Sequence, residues 1–290
     1  MAVGPRMGFR DDTAVDRIGP NRFATTLHER WLSLVGIHGG YSAAIVTRAI
    51  EAAVNDPARQ LRSIAVQFAS PPRSGAAEVE VHVEREGRSV TNTSARLVQD
   101  GRVRLVAHAV SSPARPGLAY NDLVHPSRPE PGDAPLFVPP GRIAHFQNAE
   151  VRLNPAVVPF GGGDHAWIAA WIRPLDEEPI DAAWVVAMCD VLPPSVFSRT
   201  TGPVTAASIE YVVHLSTATP HLPPGSYAYL DCRSPLSSDG FAVEDAALWG
   251  PSGEVLAVAR QTRLAGLPTS FDDADSTQVA LVGVDSNITV

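Results

Sequence analysis

Cysteine is nearly missing from this chain: two among 290 residues, Cys189 inside an apolar run and Cys232 in a strand-like one. Two thiols so placed make neither a disulfide framework nor a thiolate metal site, and they fit a reducing compartment. Long apolar runs are missing as well. No stretch approaches the roughly 18 uninterrupted apolar residues of a membrane span, and the first residues, MAVGPRMGFRDD, lack the apolar centre of a secretory leader. The expected location is therefore the cytoplasm, with no membrane span. Positive charge is short too. With 23 basic against 31 acidic residues the formal net charge is -8, which argues against a general nucleic-acid role and leaves room only for a local basic patch facing a phosphorylated ligand. No pair of histidines or carboxylates has a metal-binding spacing, so neither a metal nor another cofactor is expected.

What the chain does have is apolar content, 44%, enough for one large core or two smaller ones without staples. Proline is abundant, and eight of the 26 prolines fall between Pro113 and Pro140. That stretch reads as a linker between two patterned regions. Before it, Gly39-Gly40 opens a helical pattern with Tyr41, Ile45, Ala49 and Ala52 on one face, stopped by Asp56-Pro57. Four strand-like runs follow, Ser63–Ala69, Ala77–Glu84, Ser89–Val98 and Val103–Val110. After the linker the order recurs: a helical run Asp181–Val191, then Ala207–Leu215, Ser226–Cys232, Gly240–Trp249 and Val255–Leu264. Each copy supplies an antiparallel sheet that must cover one helix. The second helix (AAWVVAMCDV) is apolar almost all round, as a helix wrapped by a curved sheet should be. The expected fold is α+β, two hotdog units in tandem, with the two sheets continuous or facing. The boundaries read as an N-terminal unit over residues 20–112, a linker over 113–150, a C-terminal unit over 151–267 and a tail over 268–290. In the tail, Asp272–Asp275 reads as solvated, and Val279–Val284 as a terminal strand or disorder.

Three polar residues stand out against this apolar background. Asp190 sits in the predicted last turn of the second helix, against both the desolvation rule and the helix dipole; it is either functional or the start of the next turn. Strict alternation from Ser208 puts Ile209, Tyr211, Val213 and Leu215 on one face of a strand and Ser208, Glu210, Val212 and His214 on the other. Gln261 continues a face made by Val255, Ala257, Ala259 and Arg263, where an amide needs partners if buried.

Four segments carry a specific resemblance: HGGYSAA at His38–Ala44, CDVLPPSVF at Cys189–Phe197, ASIEYVVHL at Ala207–Leu215 and GEVLAVARQTRL at Gly253–Leu264. Together they resemble the type II acyl-CoA thioesterases, over about residues 20 to 267 and most strongly in the second half. The resemblance implies a double hotdog and a water-orienting triad. Asp190 matches the family's aspartate just past the buried helix, which holds or deprotonates the attacking water. Ser208 matches its threonine or serine, and Gln261 its glutamine. Gly39 and Gly40 stand before the first helix, where N-terminal N–H groups polarise the thioester carbonyl. His38 stands where the family often has a bulkier apolar residue, and reads as packed rather than catalytic.

Arg62, Arg73, Arg85, Arg88, Arg96, Arg260 and Arg263 form no local motif for CoA phosphates, and Trp31, Trp167, Trp171, Trp184 and Phe197 read as core before they read as an acyl pocket. The leading function is hydrolysis of an acyl-CoA, or an acyl-carrier thioester, by water. A Ser-His-Asp hydrolase would need a G-x-S-x-G elbow, which is absent. An enoyl-thioester hydratase would need a Gly-Asp-x-Asn-Pro-like loop, also absent. The reading from a different class is a noncatalytic acyl-thioester binder or scaffold. The expected partners are the thioester and other copies of the chain in a homo-oligomer, and no nucleic acid.

Overall fold

The computed structural model describes residues 8–138, 143–175, 179–202, 204–216 and 222–266. The first half opens on a short helix α1 (Phe9–Asp12), a hairpin of β1 (Asp16–Gly19) and β2 (Arg22–Leu27), and a two-residue-wide hairpin of β3 (Leu32–Ser33) and β4 (Gly36–Ile37). The long helix α2 (Gly39–Val54) follows, then β5 (Gln60–Phe68), β6 (Gly75–Glu86), β7 (Thr91–Gln99) and β8 (Arg102–Ser112). The second half repeats the order with β9 (Ala149–Leu153), β10 (Trp167–Pro174), α3 (Ala182–Met188), β11 (Thr205–Leu215), β12 (Ala228–Ser238), β13 (Phe241–Trp249) and β14 (Val255–Gly266).

Apart from β3 and β4, these strands form one antiparallel sheet of 12, in the order β1-β2-β6-β7-β8-β5-β11-β14-β13-β12-β10-β9. Read outward from its middle, the sheet is the same in both directions. β5 pairs with β11 at the seam, and each half then adds its next strands in matching sequence. Each half thus wraps one helix, and the two sheets are continuous: this is the double hotdog. The helices meet across the middle, and one apolar core runs through both halves, from Phe23, Tyr41, Ile45, Val79 and Leu97 to Trp184, Val185, Tyr211, Leu230 and Leu248.

Each half has six sheet strands rather than four. The β1–β2 hairpin is short, and β1 is mostly exposed, so it carries little pattern. β9 straddles the boundary drawn between the linker and the C-terminal unit, at residues 150 and 151. β10 (WIAAWIRP) lacks alternation because both of its faces are covered: Ile168, Ala170 and Ile172 join the core, while Ala169 and Trp171 join a second cluster on the outer face with Tyr229, Trp249 and Ala134. The proline-rich segment covers that cluster. Pro129 O accepts from Trp171 Nε1 at 2.8 Å, the Arg128 guanidinium lies 4.7 Å over the Trp171 ring, His125 packs on Trp249 at 5.0 Å, and Arg128 also reaches Gly250 O and Pro251 O. Further on, Phe137 N–H donates to Val151 O and Leu153 N–H to Pro135 O, so the segment also closes the free edge of β9. It is a strap as well as a connection.

The tail assigned to residues 268–290 lies outside the described residues, as do the acidic and apolar runs within it.

Candidate active site

α2 begins at Gly39 with His38 as its N-cap: His38 Nδ1 accepts from Tyr41 N–H at 3.2 Å. α3 is capped by Asp181, whose carboxylate accepts from Trp184 N–H at 3.0 Å, but it stops at Met188. Asp190 is therefore not in the last turn of a helix. It sits in the tight turn beyond it, where its N–H reaches Ala187 O and the next N–H reaches Met188 O, ahead of Pro193-Pro194. The end of α3 abuts the start of α2. Gly40 N–H donates to Asp190 Oδ2 at 2.9 Å, and His38 Nε2 donates to Asp190 O at 3.0 Å, with Oδ2 at 3.5 Å. The positive end of α2 thus faces the carboxylate, which reverses the unfavourable dipole that the sequence suggests.

The opposite side is supplied by β11 and β14. Gln261 is buried and donates from Nε2 to Asp190 Oδ1 at 2.7 Å, while its Oε1 accepts from Ser208 Oγ at 2.7 Å. Asp190, Ser208 and Gln261, up to 71 positions apart in sequence, form one continuous hydrogen-bonded chain. Ser208 gets there by a departure from strict alternation. Tyr211 pairs with Gln261 and Glu210 with Thr262, but Ser208 pairs with Arg263, leaving Ile209 as an extra residue. That β-bulge turns Ser208 to the face of Tyr211 and Gln261 instead of the face of Glu210.

Arg263, grouped by sequence with possible phosphate contacts, faces inward and is buried. It binds Glu244 Oε1 through Nε at 2.9 Å and Nη2 at 2.7 Å, Asp190 Oδ1 at 3.3 Å, and Ser208 Oγ at 2.8 Å. Burial disfavours its cation, but Glu244 and then Asp190 outweigh burial and hold its pKa above the ordinary arginine value. Glu244 also accepts from Ser195 N–H at 2.5 Å, tying down the turn that follows Asp190. Arg260, three positions back on the opposite face, is exposed and pairs with Asp245.

Three residues of this site were not read as such from the sequence: His38, Glu244 and Arg263. Arg263 had a signal, since period-two spacing puts it on the face of Gln261. Glu244 had none beyond an acidic residue in a strand. His38 stacks on His145 at 4.5 Å, and His145 is held well below the usual histidine pKa by burial and then by His38.

Of the aromatic residues, Trp31 stacks on Tyr41 at 4.7 Å and bonds Asp12, Trp184 lies in the core, Trp167 and Trp171 belong to the outer cluster, and Phe197 packs on Phe160. No group of three or more His, Cys, Asp or Glu among the described residues could hold a metal ion, and no helix among them is long and apolar enough to cross a membrane.

Position by position, the first half does not repeat the site. Counting from the two N-caps, His38 and Asp181, Thr47 stands where Asp190 does. From the seam pair Val66–Tyr211, Ser63 matches Ser208. From the hairpin turns at Asp100-Gly101 and Ser252-Gly253, Ala109 matches Gln261. Only one of the three side chains recurs, so the first half contributes the start of α2 with His38, and the second half contributes Asp190, Ser208 and Gln261.

Comparison with known proteins agrees with this architecture. Residues 27–112 match the model of the acyl-CoA thioesterase N-terminal domain, and residues 123–265 match that of the acyl-CoA thioesterase C-terminal domain. No curated protein matches the chain at a significant level. Among solved structures, a conserved hot dog protein of unknown function from Alicyclobacillus acidocaldarius superposes with TM-score 0.82 at 26% identity, over 90% of this chain and 98% of that one. A putative thioesterase II from Thermobifida fusca gives 0.78 at 23%, over 92% and 100%. The acyl-CoA thioesterase II TesB2 of Mycobacterium marinum gives 0.73 at 21%, over 90% and 99%. With both halves matched in order, and the hotdog pair already built from its own residues, this chain belongs to the acyl-CoA thioesterase family and is a thioester hydrolase.

Proposed function

We propose that the chain hydrolyses acyl-CoA thioesters to the free acid and CoA by direct attack of water, with no acyl-enzyme, and that Asp190, Ser208 and Gln261 place and activate that water. The observation that carries the reading is the hydrogen-bonded chain from Ser208 through Gln261 to Asp190, set against the N-terminus of α2. Water oxygen bonds to the acyl carbon, Asp190 takes the proton it releases, and the carbon–sulfur bond breaks to give CoA, whose thiolate is then protonated.

The two glycines divide their work. Gly40 N–H holds Asp190, so the donor left for the thioester oxygen is Gly39 N–H, which has no partner among the described residues. Gly39 is half-buried next to Phe68: a Cβ added there would lie 3.0 Å from the Phe68 ring and 3.1 Å from Asp190 Oδ2. Phe68 also borders an open groove of about 460 Å³ at the seam of the two halves, whose other walls include Gln67, Glu210 and Thr262, on the sheet face opposite to Gln261.

The test is thiol release from a panel of acyl-CoAs of different chain length, run beside the same acyl groups on carrier protein. Turnover of CoA thioesters supports the reading. Turnover of carrier-protein thioesters alone moves the substrate class, and binding without thiol release across the panel replaces hydrolysis with a binding role.

A further inference from the structure

The two ends of the Ser208–Gln261–Asp190 chain are chemically unlike, and something must decide which way its protons point. A serine hydroxyl both donates and accepts, and a glutamine amide can sit either way round. An ionised Asp190 only accepts, so Gln261 turns its NH₂ to Asp190 and its Oε1 to Ser208, and Ser208 donates its one proton there. What this leaves open is which of the two lone pairs of Ser208 faces the water, and Arg263 closes that choice. All five of its N–H donors are engaged: Nε and one Nη2 hydrogen on Glu244, the other Nη2 hydrogen on Asp190 Oδ1, and Nη1 on Ser208 Oγ at 2.8 Å and Ala206 O at 3.4 Å. A guanidinium cannot accept, so one lone pair of Ser208 Oγ accepts from Arg263 while the hydroxyl proton stays directed at Gln261 Oε1.

We infer that Arg263, anchored by Glu244, is a positioning residue that occupies one lone pair of Ser208 and holds its hydroxyl in place, so that Asp190 and the remaining lone pair of Ser208 accept from the reacting water and Gln261 donates to it. The inference rests on the hydrolytic reading above. It leaves the water one arrangement: its two protons go to Asp190 Oδ2 and to the second lone pair of Ser208, one of its lone pairs takes the free N–H of Gln261, and the remaining lone pair points at the acyl carbon. Lysine could keep the charge of Arg263 but not its planar fork, so it cannot serve Glu244, Asp190 and Ser208 together.

The experiment is a double-mutant cycle on thiol release with wild type, Arg263→Lys, Ser208→Ala and the double variant, measuring kcat and KM separately. Arg263→Lys should lower kcat by roughly 10- to 100-fold while KM changes less than about threefold, because the loss is in aligning water rather than in holding substrate. Since Arg263 acts through Ser208, the double variant should be little worse than Arg263→Lys alone. If Arg263→Lys does not fold, the same cycle is run on Arg263→Met with Glu244→Leu, which takes out both buried charges together and is the exchange that proteins tolerate. A kcat within about twofold of wild type, or multiplicative losses in the double variant, would overturn the inference while leaving the hydrolase intact. A wild type that releases no thiol from any thioester removes the hydrolytic reading itself, and the inference with it.

Discussion

Asp190 shows how much one residue's surroundings decide. A carboxylate at the C-terminal end of an apolar helix should be a liability, and its replacement by asparagine should then leave stability unchanged or raise it. The structure turns that expectation round: α3 ends two residues earlier, and Gly40 N–H, Gln261, Arg263 and His38 all reach the carboxylate. Asp190→Asn should therefore lower thiol release by roughly 100-fold or more, by losing the proton acceptor, and should also cost about 1–3 kcal/mol of stability, by weakening charge-assisted bonds. Acyl-CoA affinity should survive. Thiol release, affinity and melting temperature measured on the same two samples check all three, and normal turnover in the variant would end the assignment of Asp190. Ser208 shows the limit of reading a strand by alternation. The residue was legible as a candidate through the resemblance, but its facing was not, because one extra residue at Ile209 inverts the pattern and nothing in ASIEYVVHL announces a bulge.

The helices were legible as elements, and their meeting was not. GGYSAAIVTRAIEAAV has the period and the stop signals of a helix, whereas the contact of its first turn with the far end of α3 is a property of the assembled core. His38 joins the two by capping α2 with one ring nitrogen and bonding the end of α3 with the other. Glycine at position 40 is what lets them touch: a Cβ there would lie 2.5 Å from Ala187 O, 2.9 Å from Asp190 Cβ and 3.0 Å from the His38 ring. Gly40→Ala must push two helix ends apart, so it should cost about 1–3 kcal/mol, in the range of other overpacked sites. At Gly39 the nearest atoms belong to side chains, so Gly39→Ala should melt close to wild type yet lose activity by crowding the site. Thermal melts and thiol release on the two variants check this, and equal destabilisation of both would contradict the geometry. Strands followed the same rule. Those with one wet face, such as β6 with its alternating valines and glutamates, could be read in advance, while β10, dry on both faces under the strap, could not.

For the molecule as a whole, two titratable groups, half-buried Glu51 and buried His145, should set opposite pH dependences of stability. Glu51 on α2, near Arg48, Asp181 and Arg10, is raised by burial from 4.5 to about 7. Between those values the folded chain keeps a proton that the unfolded chain has lost, so stability falls as pH rises toward 7, by at most about 1.4 kcal/mol per pH unit. His145, beside His38, is lowered well below 6.5 by burial. Below pH 6.5 the unfolded chain takes up a proton that the folded chain refuses, so stability falls as pH drops. Between 4.5 and 6.5 the two slopes oppose each other. Melting temperature should therefore vary little there in the wild type. Glu51→Gln should expose an acid-side loss, and His145→Asn should become more stable on acidification. Melts from about pH 5 to 8 on the three proteins check it, and parallel curves would refute both assignments.

The seam between β5 and β11 makes this chain its own dimer. A half cut free would end its sheet on a bare β5 or β11, and the cheapest way to satisfy that edge is a second copy of the same half, which would rebuild a continuous sheet but not the site, since neither half holds both the α2 start and the three side chains. Covalent linkage replaces that concentration-dependent and wrongly matched encounter with an internal one, whose effective concentration is set by the connecting segment and does not change on dilution. Loop-closure entropy grows only with the logarithm of length, so a long connection is tolerated. By lying down over Trp171 and Trp249, the segment gives up much of its slack. Under the proposed mechanism, the unequal partners that the site needs are thus supplied together by translation, at any level of expression.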